Sequence, residues 1–297
     1  MAARTPDDGP GSVPAGRLWV VSVPLGNPGD LSPRARAALT DADLVLAEDT
    51  RSVRRILAQG AAAEPDDQRV LSCFDGNEAE RAEEAVRRVR SGQSLALVSE
   101  AGTPLVSDPG FRVVKAVIEA GLRVQPIPGP SALLAALVGS GQSTDRFTFL
   151  GFPPRKSAAR RRLFESLRHH PFTLVLYESP LRTGETLEDL AAVLGSGRAA
   201  CVARELTKTH EDFVRGSLGA LADRYREQRP LGEITLVVAG AEPGDLQAED
   251  SDELLAAEAT RLLAAGQSAR DTIDALASRS GRSRRDVYAI VTRVLSR

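Results

Sequence analysis

NEAERAEEAVRRVRSGQSLALVSEAGTPLVSDPGF, residues 77–111, contains a helix, a strand and an elaborate loop in that order. The first sixteen residues are amphipathic at helical spacing, with Asn77 near the start and Gly92 at the stop. Leu95, Leu97 and Val98 then make a short apolar run of strand length. The run empties into a loop holding Gly102, Gly110, Pro104, Pro109, Glu100 and Asp108. On its own such a loop is a strand-to-helix connection as readily as a site.

The same alternation extends in both directions. LWVVSV, DLVLAE, RVLSCF, SLALVS and RVQPIP are separated by helical stretches from Arg17 onward. RFTFLGF, FTLVLYES, AACVAREL and EITLVVAG continue it after Gln142. Strands alternating with helices predict a largely parallel sheet covered on both faces. The expected fold is therefore α/β, with two open domains, 17–140 and 141–240, and a cleft between them. Residues 1–16 read as a disordered tail and 241–252 as an acidic linker. Residues 253–297 read as a small arginine-rich helical appendage of two helices, with Ser283 as an N-cap.

In an open α/β sheet, ligands bind beyond the carboxyl ends of the strands. Unusual loops fall at those positions: SVPLGNPGD (22–30), EDTR (48–51), the loop after residue 98, PIPGPSA (126–132), LGFPPRK (150–156), YESPLR (177–182) and RELTKTHE (204–211). One such loop is a turn; seven along the strand exits predict a binding cleft.

Composition narrows the chemistry. Of 297 residues 42% are hydrophobic, as in a globular enzyme, and the net charge of −2 leaves nucleic-acid binding to local patches. Cys73 and Cys201 are far apart, which fits a reducing cytoplasm better than a disulfide framework. No apolar run reaches membrane-spanning length. The first loop lacks the G-x-G-x-x-G fingerprint, and GFPPRKS lacks the glycine that precedes Lys-Ser in a phosphate-binding loop. His169, His170 and His210 give no zinc spacing, so no metal is expected. What remains is a cleft of backbone amides, carbonyls and a few acids. Such a cleft suits direct transfer between two positioned substrates.

PLGNPGD, AEDTR, SEAGTPLVSDPG, PIPGPSA, YESPLR and RELTKTHE, in this order, resemble the ribosomal RNA small-subunit methyltransferases of the tetrapyrrole methylase superfamily. The resemblance spans about residues 17–240. It implies a two-domain fold, S-adenosyl-L-methionine as methyl donor, and a homodimer. It also implies a 16S rRNA acceptor within the 30S subunit, methylated on the ribose 2′-hydroxyl of a decoding-centre cytidine. Cofactor contacts are then expected from Pro24 and Gly26, from Ser99, Glu100, Ala101, Gly102 and Pro104, from Gly129, Pro130, Ser131 and Ala132, and from Tyr177 and Glu178. Gly102 is expected to let backbone approach the donor, with Gly129 to Ser131 as the opposing wall.

The candidate catalytic acids are Asp49, Asp108 and Glu100. Position 100 departs from the family's usual Asp and adds a methylene. For Glu178 and Glu205 a structural ion pair with Arg182 or Arg204 is the competing reading. RNA contacts are expected from Arg155, Lys156, Arg160, Arg161 and Arg162, and from Arg282, Arg284 and Arg285 in the tail. Arg51 either holds a phosphate or neutralises Asp49. A small-molecule methyltransferase of the same superfamily and a non-catalytic assembly factor are the alternatives.

Overall fold

The computed structural model describes residues 16–58, 69–241, 252–280 and 282–296. The expected tail, up to residue 15, and most of the expected acidic linker lie outside these residues.

The first sheet is parallel throughout. Its strands are β1 (Arg17–Val21), β2 (Leu44–Ala47), β3 (Val70–Ser72), β4 (Ser94–Val98) and β5 (Arg123–Ile127), in the order β3-β2-β4-β1-β5. Strand β4 buries Leu95, Ala96, Leu97 and Val98, because both of its faces are covered. Pro126 is tolerated in β5 because that strand is an edge.

Helices α1 (Pro33–Asp41) and α2 (Thr50–Ala58) cover one face, where Leu39 and Val53 pack on Val45 and Val98. Helices α3 (Glu78–Arg90) and α4 (Phe111–Glu119) cover the other, where Val89, Val113 and Val117 pack on Leu95 and Leu97. Helix α3 ends as expected, with Gly92 at φ +93°.

The second sheet departs from the expected parallel arrangement. Its strands are β6 (Phe147–Phe149), β7 (Thr173–Glu178), β8 (Ala199–Arg204), β9 (Asp212–Ser217) and β10 (Ile234–Val238), ordered β6-β7-β10-β8-β9. Only β6–β7 is parallel; β10 runs antiparallel between β7 and β8, and β8–β9 is a hairpin. Helix α5 (Ala132–Ser140) covers one face of this sheet through Ala136 and Leu137. Helices α6 (Ser157–Glu165), α7 (Thr183–Leu194) and α8 (Leu218–Glu227) cover the other around Phe164, Leu187 and Leu221. This topology puts the carboxyl ends of β7 and β8 and the amino end of β10 on one edge.

The appendage has three helices rather than two: α9 (Asp252–Ala264), α10 (Ala269–Ser280) and α11 (Arg284–Leu295). They share a core of Leu255, Ala259, Leu276, Val287, Ile290 and Val291. Ser283 caps α11 as expected, its hydroxyl accepting the Asp286 amide at 3.2 Å.

Candidate functional site

Three loops of the first sheet are fastened to one another. Val23 and Gly102 exchange backbone hydrogen bonds, with N–H to O distances of 2.8 and 3.1 Å. The Ser22 amide donates to the Ile127 carbonyl at 3.2 Å. The Ser22 hydroxyl meets that of Thr103 at 3.0 Å, and Thr103 donates onward to the Pro130 carbonyl at 2.8 Å. The exits of β1, β4 and β5 therefore form one rigid floor.

The second sheet closes over that floor. A Cβ on Gly26 would fall on the aliphatic stem of Lys208, and the Asn27 amide donates to the Thr207 hydroxyl at 3.2 Å. Among the described residues, the non-glycine residues at positive φ are Leu105 and Ser107, in the loop after β4, and Glu205 and Thr207, in the loop after β8. Such strain persists only where the surroundings enforce it, and it clusters at functional sites.

Between the two sheets lies a cavity of about 1070 Å³. Leu25, Val106, Ile56 and Ile234 supply apolar wall; Glu48, Glu100, Asp108, Glu178 and Glu233 supply carboxylates, and Arg36, Arg55 and Lys208 cations. Burial, then the charges of Glu48 and Glu100, push the Asp108 carboxyl up to about 6, against the hydrogen bond from Ser99. Burial and the neighbouring Glu100 also raise Glu48. The cavity is thus an acidic, partly desolvated site with one carboxyl titrating near neutrality.

On the opposite wall, Tyr177 accepts the Leu133 amide of α5 on its hydroxyl at 3.2 Å, and burial raises its pKa. Glu178 also lines the cavity but is fully engaged. It takes Thr186 at 2.6 Å, Arg182 at 2.8 Å and the Ser179 amide at 2.8 Å. Glu205 is paired with Lys208 at 3.0 Å and accepts the Glu233 amide.

Of the residues expected at the cofactor, Pro24, Gly26, Glu100, Ala101, Gly102, Ser131, Ala132, Tyr177 and Glu178 line the cavity. Ser99, Pro104, Gly129 and Pro130 do not line it; Ser99 holds its wall through the Ala101 carbonyl and Pro130 through the Thr103 hydroxyl. A Cβ on Gly129 would stand 2.9 Å from Ser22 Cβ, and one on Gly102 (φ +74°) 3.0 Å from Leu25 Cδ2. Both glycines therefore serve loop-to-loop packing.

Asp49 does not line the cavity. Its carboxylate caps the start of α2, accepting the Arg51 amide at 2.8 Å, and pairs with the Arg51 guanidinium at 3.1 Å, which lowers its pKa. The carboxylate that lines the cavity from this loop is its neighbour Glu48. The signal for Glu48 is positional: it is the first residue beyond the wholly buried strand β2.

The arginine run divides. Arg155, Lys156 and Arg162 are exposed. Arg160 is 1% exposed, with Nε 2.7 Å from Asp189, and so corrects the expectation that it reaches RNA. Arg161 is half exposed and also bonded to Asp189, at 2.5 Å. In the tail, Arg282 pairs with Asp252 at 2.9 Å and Arg284 with Asp274 at 2.6 Å, while Arg285 is exposed.

The family model described as Tetrapyrrole (Corrin/Porphyrin) Methylases matches residues 17–222. The chain is 42% identical over 275 residues to the ribosomal RNA small subunit methyltransferase I of Synechocystis sp., covering 93% of this chain and 97% of that one. It is 46% identical over 264 residues to the protein of the same name from Mycobacterium tuberculosis, covering 89% and 90%. Among solved structures, the uroporphyrin-III C-methyltransferase of Thermus thermophilus complexed with S-adenyl homocysteine matches with a TM-score of 0.53 at 22% identity, covering 75% of this chain and 97% of that one. A diphthine synthase matches with a TM-score of 0.57 at 19% identity, covering 75% and 90%. Both structures share the fold.

Proposed function

The chain belongs to the tetrapyrrole methylase family, and from that membership we propose that it is an S-adenosylmethionine-dependent ribosomal RNA methyltransferase. The acceptor in this reading is the ribose 2′-hydroxyl of a decoding-centre cytidine in the 16S rRNA of the 30S subunit. Support for the substrate comes from the high identity to the small-subunit rRNA methyltransferases over nearly the whole of both chains.

The observation that carries the reading is the two-sheet cavity in which the charges of Glu48 and Glu100 act on Asp108. Its apolar wall suits a nucleoside and its acids suit a cationic donor, so the residues present fit S-adenosylmethionine. That donor supplies an activated methyl group on a sulfonium. Leu25, Ala101, Gly102 and Ala132 would hold it against the fastened floor. Asp108, a cavity carboxylate raised to about 6 by burial first and then by Glu48 and Glu100, takes up the proton that leaves the 2′-hydroxyl. Glu178 holds the β7 exit in place through Arg182 and Thr186.

The chain acts as a homodimer in this reading. Helix α5 (ALLAALVGS) is apolar around its whole circumference, yet Leu134 and Val138 are 50% and 73% exposed, which a second copy would cover. No described helix is long and apolar enough to cross a membrane, and a ribosomal substrate puts the protein in the cytoplasm.

The test is transfer of labelled methyl to 30S subunits from a strain lacking this enzyme, followed by mapping of the 2′-O-methyl position in 16S rRNA. Incorporation at one decoding-centre cytidine is expected. Donor binding without incorporation into 30S subunits would overturn the assignment of substrate.

A further inference from the structure

The geometry points to Phe152 as the platform on which a base of the substrate RNA stacks, with Arg155 and Lys156 holding adjoining phosphates. The inference rests on the rRNA reading above and assigns it a contact.

Phe152 lines the cavity and is 57% exposed, a large aromatic left in water at the mouth of an otherwise folded site. One side of its ring is fixed by Tyr177, with centroids 5.6 Å apart and planes tilted by 58°. The backbone beneath it is held as well. Gly151, at φ +62°, accepts the Tyr177 amide at 3.0 Å, and the Pro153 carbonyl accepts Arg182 at 2.8 Å. Two consecutive prolines then stiffen the segment. The ring is thus presented with little ordering cost, as a stacking surface requires.

Charge decides what it presents to. Carboxylates outnumber cations around the cavity, Glu48, Glu100, Asp108, Glu178 and Glu233 against Arg36, Arg55 and Lys208, and this balance disfavours phosphate inside it. Arg155 and Lys156, three and four residues past Phe152, are exposed, and among the described residues neither is in an ion pair. A polynucleotide therefore keeps its backbone at this rim and offers sugar and base to the cleft. Leu181 and Leu231, 65% and 75% exposed, follow β7 and precede β10 on the same edge and extend the apolar rim. Single-stranded bases are held in this way, by aromatic faces beside cations.

The test compares Phe152→Leu, Phe152→Trp and the parent on unmethylated 30S subunits, with calorimetry of S-adenosylhomocysteine binding alongside. Phe152→Leu should raise KM for 30S subunits about tenfold or more, leave kcat within about twofold, and leave cofactor affinity unchanged. Phe152→Trp should restore KM, and its added fluorescence should be quenched by 30S subunits but not by the cofactor. The chain's other tryptophan, Trp19, is held by Gln125 at 3.3 Å within the first sheet and serves as the internal control. An unchanged KM in Phe152→Leu, or a loss of cofactor affinity in its place, overturns the inference. Quenching by 30S subunits with no methyl transfer by the parent would support the platform while overturning the proposed reaction.

Discussion

Asp108, the proposed proton acceptor, carries a structural cost. Its carboxyl is raised to about 6, first by burial and then by Glu48 and Glu100. The native state therefore binds this proton more tightly than the unfolded chain does. The stability this confers is fully present below the unfolded pKa of about 3.9 and is lost as pH rises through about 6. At neutral pH the ionised group is a burden, which the proposed proton uptake would account for. Asp108→Asn should accordingly be more stable than the parent at pH 7.5, by roughly 1–2 kcal/mol once solvent screening is allowed for, and about equal at pH 4. Methyl transfer by the variant should fall about 100-fold or more. Denaturant melts at the two pH values, with the transfer assay beside them, check both halves. Undiminished activity would move proton uptake to Glu48 or Glu100.

At the scale of elements, the site depends on how helices begin and loops abut. Glu78, in the first turn of α3 and 6% exposed, reaches across to α4 and accepts the amides of Gly110 and Arg112 at 2.9 and 2.7 Å. It caps the helix that follows the loop carrying Glu100 and Asp108. Glu78→Ala leaves two amides without their acceptor and should cost about 2 kcal/mol, with weaker cofactor binding because the loop loses its anchor. Chemical denaturation and calorimetry measure the two effects. Gly129→Val should act through the same linkage. Its side chain would meet Ser22 Cβ, wedge the β1 and β5 exits apart, and lower stability by about 1–3 kcal/mol together with affinity. A loss of affinity with no change in melting temperature would instead mean that Gly129 faces the cofactor directly. The loops themselves were legible in the sequence because glycine and proline crowd only the strand exits. The fastenings between them were not, since Ser22, Thr103 and Glu78 are ordinary residues whose partners lie 27 to 81 positions away.

For the whole molecule, legibility follows burial. The first sheet could be read because its central strands β2 and β4 are apolar on both faces, and its parallel order follows from the helices between the strands. The hairpin strand β9 escaped because DFVRGS is a half-exposed edge whose only large apolar residues are Phe213 and Val214. The arginine run misled for a related reason. Composition shows charge but not which guanidinium is turned inward, and Arg160 meets Asp189 from 29 residues away to join α6 to α7. Burial alone would raise the Asp189 carboxyl, but the hydrogen bonds from Arg161, Ser157 and Arg160 outweigh it and hold it below its usual range. The run therefore contains two different kinds of arginine, and two variants should separate them. Arg160→Gln removes the fully buried partner of Asp189 while Ser157 and Arg161 remain, should cost about 2 kcal/mol, and leaves the salt dependence of RNA binding as it was. Replacing Arg155, Lys156 and Arg162 together by glutamine should leave the melting temperature nearly unchanged. Each lost phosphate contact reduces the log-affinity against log-salt slope by about 0.7 to 0.9, so the triple variant should flatten it by roughly two. Binding to 30S subunits across a salt series, paired with thermal melts, checks both variants. A slope that stays put in the triple variant would shift the phosphate contacts to other cations, of which the exposed Arg285 in the appendage is the next to replace.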